Sequence, residues 1–170
     1  MSTPEPAIAP FLSSRDFDAP RALLWKAYTD PEHCAKWFGP QGTEVLRCDM
    51  DLRAGGSYHY GMRMPDGNEM WGLQKFLSVT PGEQLVLLQS FSDASRADLR
   101  HPASATWPLQ MHSTTTFEDL GSGRCRLSIR WLPHAADEAE MRTFDQAREG
   151  MSGGFEGMFE QLAAYLAKMT

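Results

Sequence analysis

The sequence predicts an α+β fold in which a curved antiparallel sheet of about seven strands closes around a long C-terminal α-helix, with two short helices after the first strand. Three observations lead there. The C-terminal stretch carries apolar residues at three- and four-residue steps over about thirty positions. The middle of the chain is a succession of short alternating segments separated by Gly and Pro turns. A strand running into two short helical repeats precedes them.

Ile8 to Phe17 is apolar at both ends and reads as the first strand. It leads into Asp18-Ala19-Pro20, where Asp18 is placed to accept from the first helical N–H groups and Pro20 suits a first turn. Leu23, Leu24, Ala27 and Tyr28 recur at helical spacing, and Asp30-Pro31 restarts a second short helix that ends before Gly39. Val45 to Met50 reads as a strand, Ala54-Gly55-Gly56 as a turn and Ser57 to Arg63 as the next strand. There Tyr58, Tyr60 and Met62 share one face, because side chains of a strand alternate with period two. Pro65-Asp66-Gly67 turns the chain into a strand over Glu69 to Val79, and Pro81-Gly82 turns it into another over Gln84 to Phe91. Ser92 to Pro108 is polar and aperiodic, a long loop with room for a turn of helix. Leu109 to Glu118 and Arg124 to Trp131 form a hairpin across a glycine-bearing turn. Asp137 and Glu140 have the spacing of a capping box, after which Met141, Phe144, Met151, Phe155, Met158, Leu162, Leu166 and Met169 define the stripe of the last helix, with a bend allowed near Gly150. Short turns favour antiparallel neighbours, and this helix alone is long enough to cover the sheet, so the order predicts a helix-grip fold.

The length of 170 residues fits one domain, with residues 1–9 read as a flexible tail and 10–170 as the folded unit. A formal charge of −6 with no basic block argues against nucleic acid as a partner. The start of the chain lacks the basic-then-apolar pattern of a signal peptide, and no apolar run is long enough for a bilayer, so no membrane partner is expected. Cys34, Cys48 and Cys125 are odd in number and unpaired in spacing, which fits a reduced, cytoplasmic setting.

Several strings, in order, carry a resemblance over roughly residues 10–168. They are Asp30-Pro31 leading to Trp37-Phe38-Gly39-Pro40 with Gly42, then Gly55-Gly56-Ser57-Tyr58, Pro65-Asp66-Gly67, Trp107-Pro108-Leu109 and Thr116-Phe117-Glu118-Asp119. Gly150-Met151 through Gly154-Phe155 to Leu162-Ala163-Ala164-Tyr165-Leu166 completes them. The chain resembles the START-like (SRPBCC) superfamily, in particular the branch similar to the C-terminal domain of the Hsp90 ATPase activator. The resemblance implies an apolar cavity between helix and sheet, and no single activity, since relatives include lipid carriers, polyketide cyclases and co-chaperones.

Gly150, Gly153, Gly154 and Gly157 crowd the last helix, where each costs about 1 kcal/mol relative to alanine. Gly150, Gly154 and Gly157 flank the Met151, Phe155 and Met158 stripe; they either make room for a ligand or let the helix lie close to the sheet. Tyr58, Tyr60, Met62, Trp71, Met111, Met151, Phe155, Met158 and Phe159 are the candidate ligand-binding residues, set against an ordinary packed core. Trp37 and Phe38 read as a staple for the second helix, with a place at the cavity mouth as the alternative. The five histidines show no His-x-x-x-His spacing, so no metal, no other cofactor and no catalytic residue is assigned. Parity turns His59 and His112 away from the tyrosine and methionine faces, toward solvent. Glu69 and Gln74 are the polar residues to check, because a carboxyl in an apolar cavity can serve in proton transfer.

The reading is therefore a binder of a small hydrophobic ligand, the small apolar molecule being its expected partner. The alternatives are an Hsp90-type co-chaperone and a polyketide cyclase or dehydratase-like enzyme. A second copy of the chain and an Hsp90-type chaperone stay open as protein partners.

Overall fold

Alternating apolar residues make each strand two-faced, and the turn glycines set how the strands join. The computed structural model describes residues 8–38 and 42–169. Residues 1–7 of the expected tail, and Gly39-Pro40 of the second-helix string, lie outside the described residues. The elements are β1 (Phe11–Phe17), α1 (Arg21–Thr29), α2 (Pro31–Trp37), β2 (Glu44–Met50), β3 (Ser57–Arg63), β4 (Glu69–Thr80), β5 (Gln84–Phe91), β6 (Gln110–Gly121), β7 (Arg124–His134) and α3 (Glu138–Met169). The seven strands form one curved antiparallel sheet in the order β1-β7-β6-β5-β4-β3-β2. This is the helix-grip arrangement.

Gly67, Gly82, Gly121 and Gly123 adopt positive φ between the strands, a conformation glycine reaches without a Cβ clash. Asp30 caps α2 by accepting from the Glu32 N–H at 3.0 Å, with Pro31 in the first turn. Asp18 does not cap α1. Pro20 takes the cap position without a side-chain bond, and Asp18 is exposed and pairs with Arg124 instead. The capping box of α3 forms in both directions: Glu140 N–H donates to Asp137 at 2.8 Å and Asp137 N–H to Glu140 at 3.1 Å. Residues 92–108 contain no helical turn; a single bridge pairs Phe91 with Leu99.

Register places Phe11, Ile129, Trp131, Met111, Thr115, Leu87, Gln89, Gln74, Tyr60 and Tyr58 on the face toward α3. The helix packs mainly on β1, β7, α1 and α2. Two apolar cores result. The larger joins α1 and α2 to the sheet and to Phe159, Leu162 and Leu166 of α3; the smaller groups Phe11, Met111 and Phe144 near the start of α3, with Ile8 packed against it. Trp131 and Phe155 touch both clusters.

The α3 glycines are not close-packed. A Cβ built on Gly150, Gly153, Gly154 or Gly157 would meet nothing within 4 Å. Gly153 and Gly157 are exposed and away from the cavity lining, so Gly153→Ala and Gly157→Ala should each raise stability by about 0.5–1 kcal/mol through helix propensity alone. Urea unfolding curves check this; a loss of stability would mean that those positions meet a contact absent from the fold.

Candidate functional site

Between the two cores the middle of α3 stands off the sheet, and a cavity of about 740 Å³ opens there. Its helix wall is Ala147, Gly150, Met151, Gly154, Phe155 and Met158. Its sheet wall comes from the inward parity of β3 to β7, including Tyr60, Gln74, Leu87, Gln89, Met111, Thr115, Ile129 and Trp131. Phe38 and Tyr28 line it from the small helices, and His101 and Trp107 from the 92–108 loop. None of the described lining residues is Asp, Glu, Lys or Arg. Gly150, Gly154, Met70 and Leu109 are also exposed to solvent and mark its mouth.

The aromatic lining is interlocked. Phe155 stands edge-on to Trp131 at 5.1 Å and tilts against Phe11 at 5.1 Å, while Phe38 meets Tyr60 at 5.0 Å. Trp131 donates its indole N–H to Ser113 Oγ at 3.0 Å, so this polar handle is satisfied inside the wall. Tyr60 leans over Gly72: a Cβ there would sit 2.2 Å from the phenol, so glycine is what allows the ring its position.

One polar strip crosses this surface. Gln74 donates to Gln89 Oε1 at 2.8 Å, and Gln89 donates to the Tyr60 hydroxyl oxygen at 3.1 Å. Burial pushes the Tyr60 phenol up to about 12 and raises Tyr28 as well, so both remain neutral at physiological pH. His101 is half-buried, edge-on to Phe91 at 4.9 Å, and its Nδ1 accepts from the Ala103 N–H at 2.9 Å. That bond puts the proton of the neutral ring on Nε2.

The loop that carries His101 and Trp107 is strapped to the start of α3. Arg100 donates to Glu140 at 2.5 Å and to the Trp107 carbonyl at 2.9 Å, and Thr143 donates to Thr106 at 2.8 Å. The Arg100 guanidinium holds the Glu140 carboxyl below its usual 4.5. A carboxyl whose pKa falls on folding stabilises the fold above the unfolded value, and that contribution disappears as pH drops through the folded one. The protection of residues 99–108 against hydrogen exchange, taken relative to intrinsic exchange at the same pH, should therefore fall selectively below about pH 4.5, and in Glu140→Gln already at neutral pH. Equal protection of this segment in both proteins at pH 7 would show that the ion pair does not hold the loop.

The residues singled out from sequence divide. Tyr60, Met111, Met151, Phe155 and Met158 line the cavity; Tyr58, Met62 and Phe159 lie in the buried core. Trp71 borders the cavity, yet its ring lies on the opposite face, over Gly61 and stacked on His59 at 5.4 Å. Trp37 is the expected staple, its indole bonded to the Ala27 carbonyl at 2.8 Å, whereas Phe38 belongs to the cavity wall. His59 corrects the parity expectation: it turns away from the cavity but is fully buried, under Trp71 and bonded to the Asp93 carbonyl at 2.8 Å. A loop folded over the outer face closes what parity alone leaves open. Gln74 lines the cavity; Glu69 is exposed and pairs with Arg63. Gln89, His101, Trp107 and Trp131 were not singled out. For Gln89 and Trp131 the parity of β5 and β7 carried the signal; Trp107 stood in one of the family-like strings, and no periodicity of the loop pointed either loop residue to the cavity.

Among the described residues, no cluster of three or more His, Cys, Asp or Glu gathers, and no helix is long and apolar enough to cross a membrane. A family model described as activator of Hsp90 ATPase homolog 1-like protein matches residues 18–167. Solved structures with the same fold include protein Ms6760 from Mycobacterium smegmatis, 26% identical at a TM-score of 0.69, covering 90% of this chain and 87% of that one. A protein from Arthrobacter aurescens is 25% identical at a TM-score of 0.72, covering 95% and 87%. DynU16, a protein in the dynemicin biosynthetic locus, is 18% identical at a TM-score of 0.64, covering 93% of this chain and 47% of that one, a likeness of fold alone. No curated protein matches the chain.

Proposed function

The chain belongs to the activator of Hsp90 ATPase homolog 1-like family, and from that premise we propose that it binds a small, uncharged, largely apolar molecule between α3 and the sheet. The observation that carries this reading is the cavity of about 740 Å³, open to solvent beside the α3 glycines and without a described charged residue in its lining. That volume lies within the range of small-molecule sites. An ionised group would lose hydration there without a partner charge, whereas an apolar body gains from leaving water. The Gln74-Gln89-Tyr60 strip supplies hydrogen bonds for one polar end. Four methionines in the lining, Met70, Met111, Met151 and Met158, let the wall adapt to the ligand.

Binding is favoured over cyclase or dehydratase chemistry because His101 stands without a carboxylate among the described lining residues, so no acid–base pair is assembled. Three free thiols suit a reducing compartment such as the cytoplasm. Native mass spectrometry of the purified protein tests the reading. A co-purifying neutral molecule, or micromolar displacement of a hydrophobic fluorophore that Gly154→Phe abolishes, is the expected result. No binding from a broad panel of neutral apolar compounds would overturn it. The family description separately favours contact with an Hsp90-type chaperone; an unchanged chaperone ATPase rate on adding the protein would remove that second reading.

A further inference from the structure

Cys34 lies in α2 and Cys48 in β2, two elements that pack together. Their sulfurs converge on one phenol: Cys34 Sγ is 3.3 Å from the Tyr58 hydroxyl oxygen and Cys48 Sγ 3.6 Å from the same atom. Cys48 Sγ also lies 3.5 Å from the carbonyl of Pro31, the first residue of the helix that carries Cys34. Cys34 is buried at 2% exposure, whereas Cys48 is half-buried. Neither lines the cavity. One half-buried cysteine backed by one fully buried cysteine is the arrangement of an attacking and a resolving cysteine.

We propose that Cys48 and Cys34 form a peroxide-sensitive dithiol that closes to a disulfide on two-electron oxidation by hydrogen peroxide. In the first step the Cys48 thiolate attacks one peroxide oxygen; the O–O bond breaks, hydroxide departs and takes up a proton as water, and the sulfur becomes a sulfenic acid. In the second the Cys34 sulfur gives up its proton and attacks the Cys48 sulfur; the S–O bond breaks, hydroxide leaves as water and the S–S bond forms. Two thiols are oxidised by two electrons in total, and one peroxide is reduced to two waters.

The electrostatics agree with these roles. The thiol contact with Cys34 holds Cys48 below the ordinary thiol range, while the same contact and burial raise Cys34, which gives the attacking role to the less buried sulfur. Cys125, on β7, is buried, and desolvation pushes its thiol up to about 11. It stays reduced. The bridge would tie α2 to β2 next to the cavity wall, since Phe38 follows α2 and the Tyr58 ring lies 5.0 Å from Tyr60.

The test exposes the full chain to equimolar hydrogen peroxide, then alkylates it under denaturing conditions and maps peptides by mass spectrometry. Expected are an intact mass lower by about 2 Da, a fall from three alkylatable thiols to one, and a Cys34–Cys48 linked peptide that dithiothreitol removes. In Cys34→Ser, dimedone should trap a sulfenic acid at Cys48; in Cys48→Ser, Cys34 should remain a thiol. Because the wild-type measurement stands by itself, a variant that fails to fold does not spare the proposal. Three thiols surviving in the folded wild type, sulfinic acid at Cys48 with Cys34 still alkylatable, or a bridge to Cys125 would each overturn it.

Discussion

Phe117→Ala is expected to cost about 3–5 kcal/mol of folding stability. Phe117 is 2% exposed and sits on β6 inside the sheet, with Trp25 edge-on at 5.0 Å and Tyr28 at 5.5 Å. Both partners come from α1, so this ring is where the first helix is fixed to the sheet. Truncation leaves a void walled by rigid aromatics on one side and by paired backbone on the other, neither of which can collapse into it. In urea the unfolding midpoint should fall at unchanged slope. Phe155→Ala is the comparison: its ring is half-buried and already borders open space, so fewer contacts are lost and the cost should be about half or less. Equal losses for the two variants would show that the space beside Phe155 is filled in solution.

The second large effect concerns the mouth. Gly154→Phe should lower affinity for a cavity ligand at least tenfold, about 1.4 kcal/mol, while leaving folding stability unchanged or slightly raised. Gly154 lines the cavity and is also exposed, and a Cβ there meets nothing within 4 Å. A phenyl group can therefore enter the opening without displacing packed atoms, and it replaces a poor helix former. Titration of a hydrophobic fluorophore against wild type and variant, alongside urea curves for both, separates the two quantities. Unaltered affinity would place the ligand elsewhere; reduced stability would mean that the glycine serves packing after all.

Much of the fold was legible because it rests on local chemistry. The boundaries of β3 and β5, the Asp30-Pro31 helix start and the Asp137–Glu140 capping box follow from alternation, turn residues and side-chain acceptors within a few positions of each other. Where a reading went astray, the cause was local in one case and distant in the other. Asp18 lies two residues before Pro20, which holds the cap position of α1, whereas His59 is covered by the carbonyl of Asp93 and the ring of Trp71.

The candidate site divides along the same line. Periodicity places Met151, Phe155 and Met158 on one stripe of α3, and parity places Tyr60 and Met111 on inward faces, without reference to any other part of the chain. These assignments need only the geometry of one helix or one strand. Tertiary structure alone decided that Phe38, His101 and Trp107 join them, that Tyr58 and Phe159 are sealed in the core, and that the α3 glycines face open space. A periodic pattern states which side of an element is apolar; how far apart two apolar sides come to rest depends on the whole sheet's curvature and on which neighbours the helix meets first. Here α3 settles on β1, β7, α1 and α2, and the space left over β4, β5 and β6 becomes the cavity.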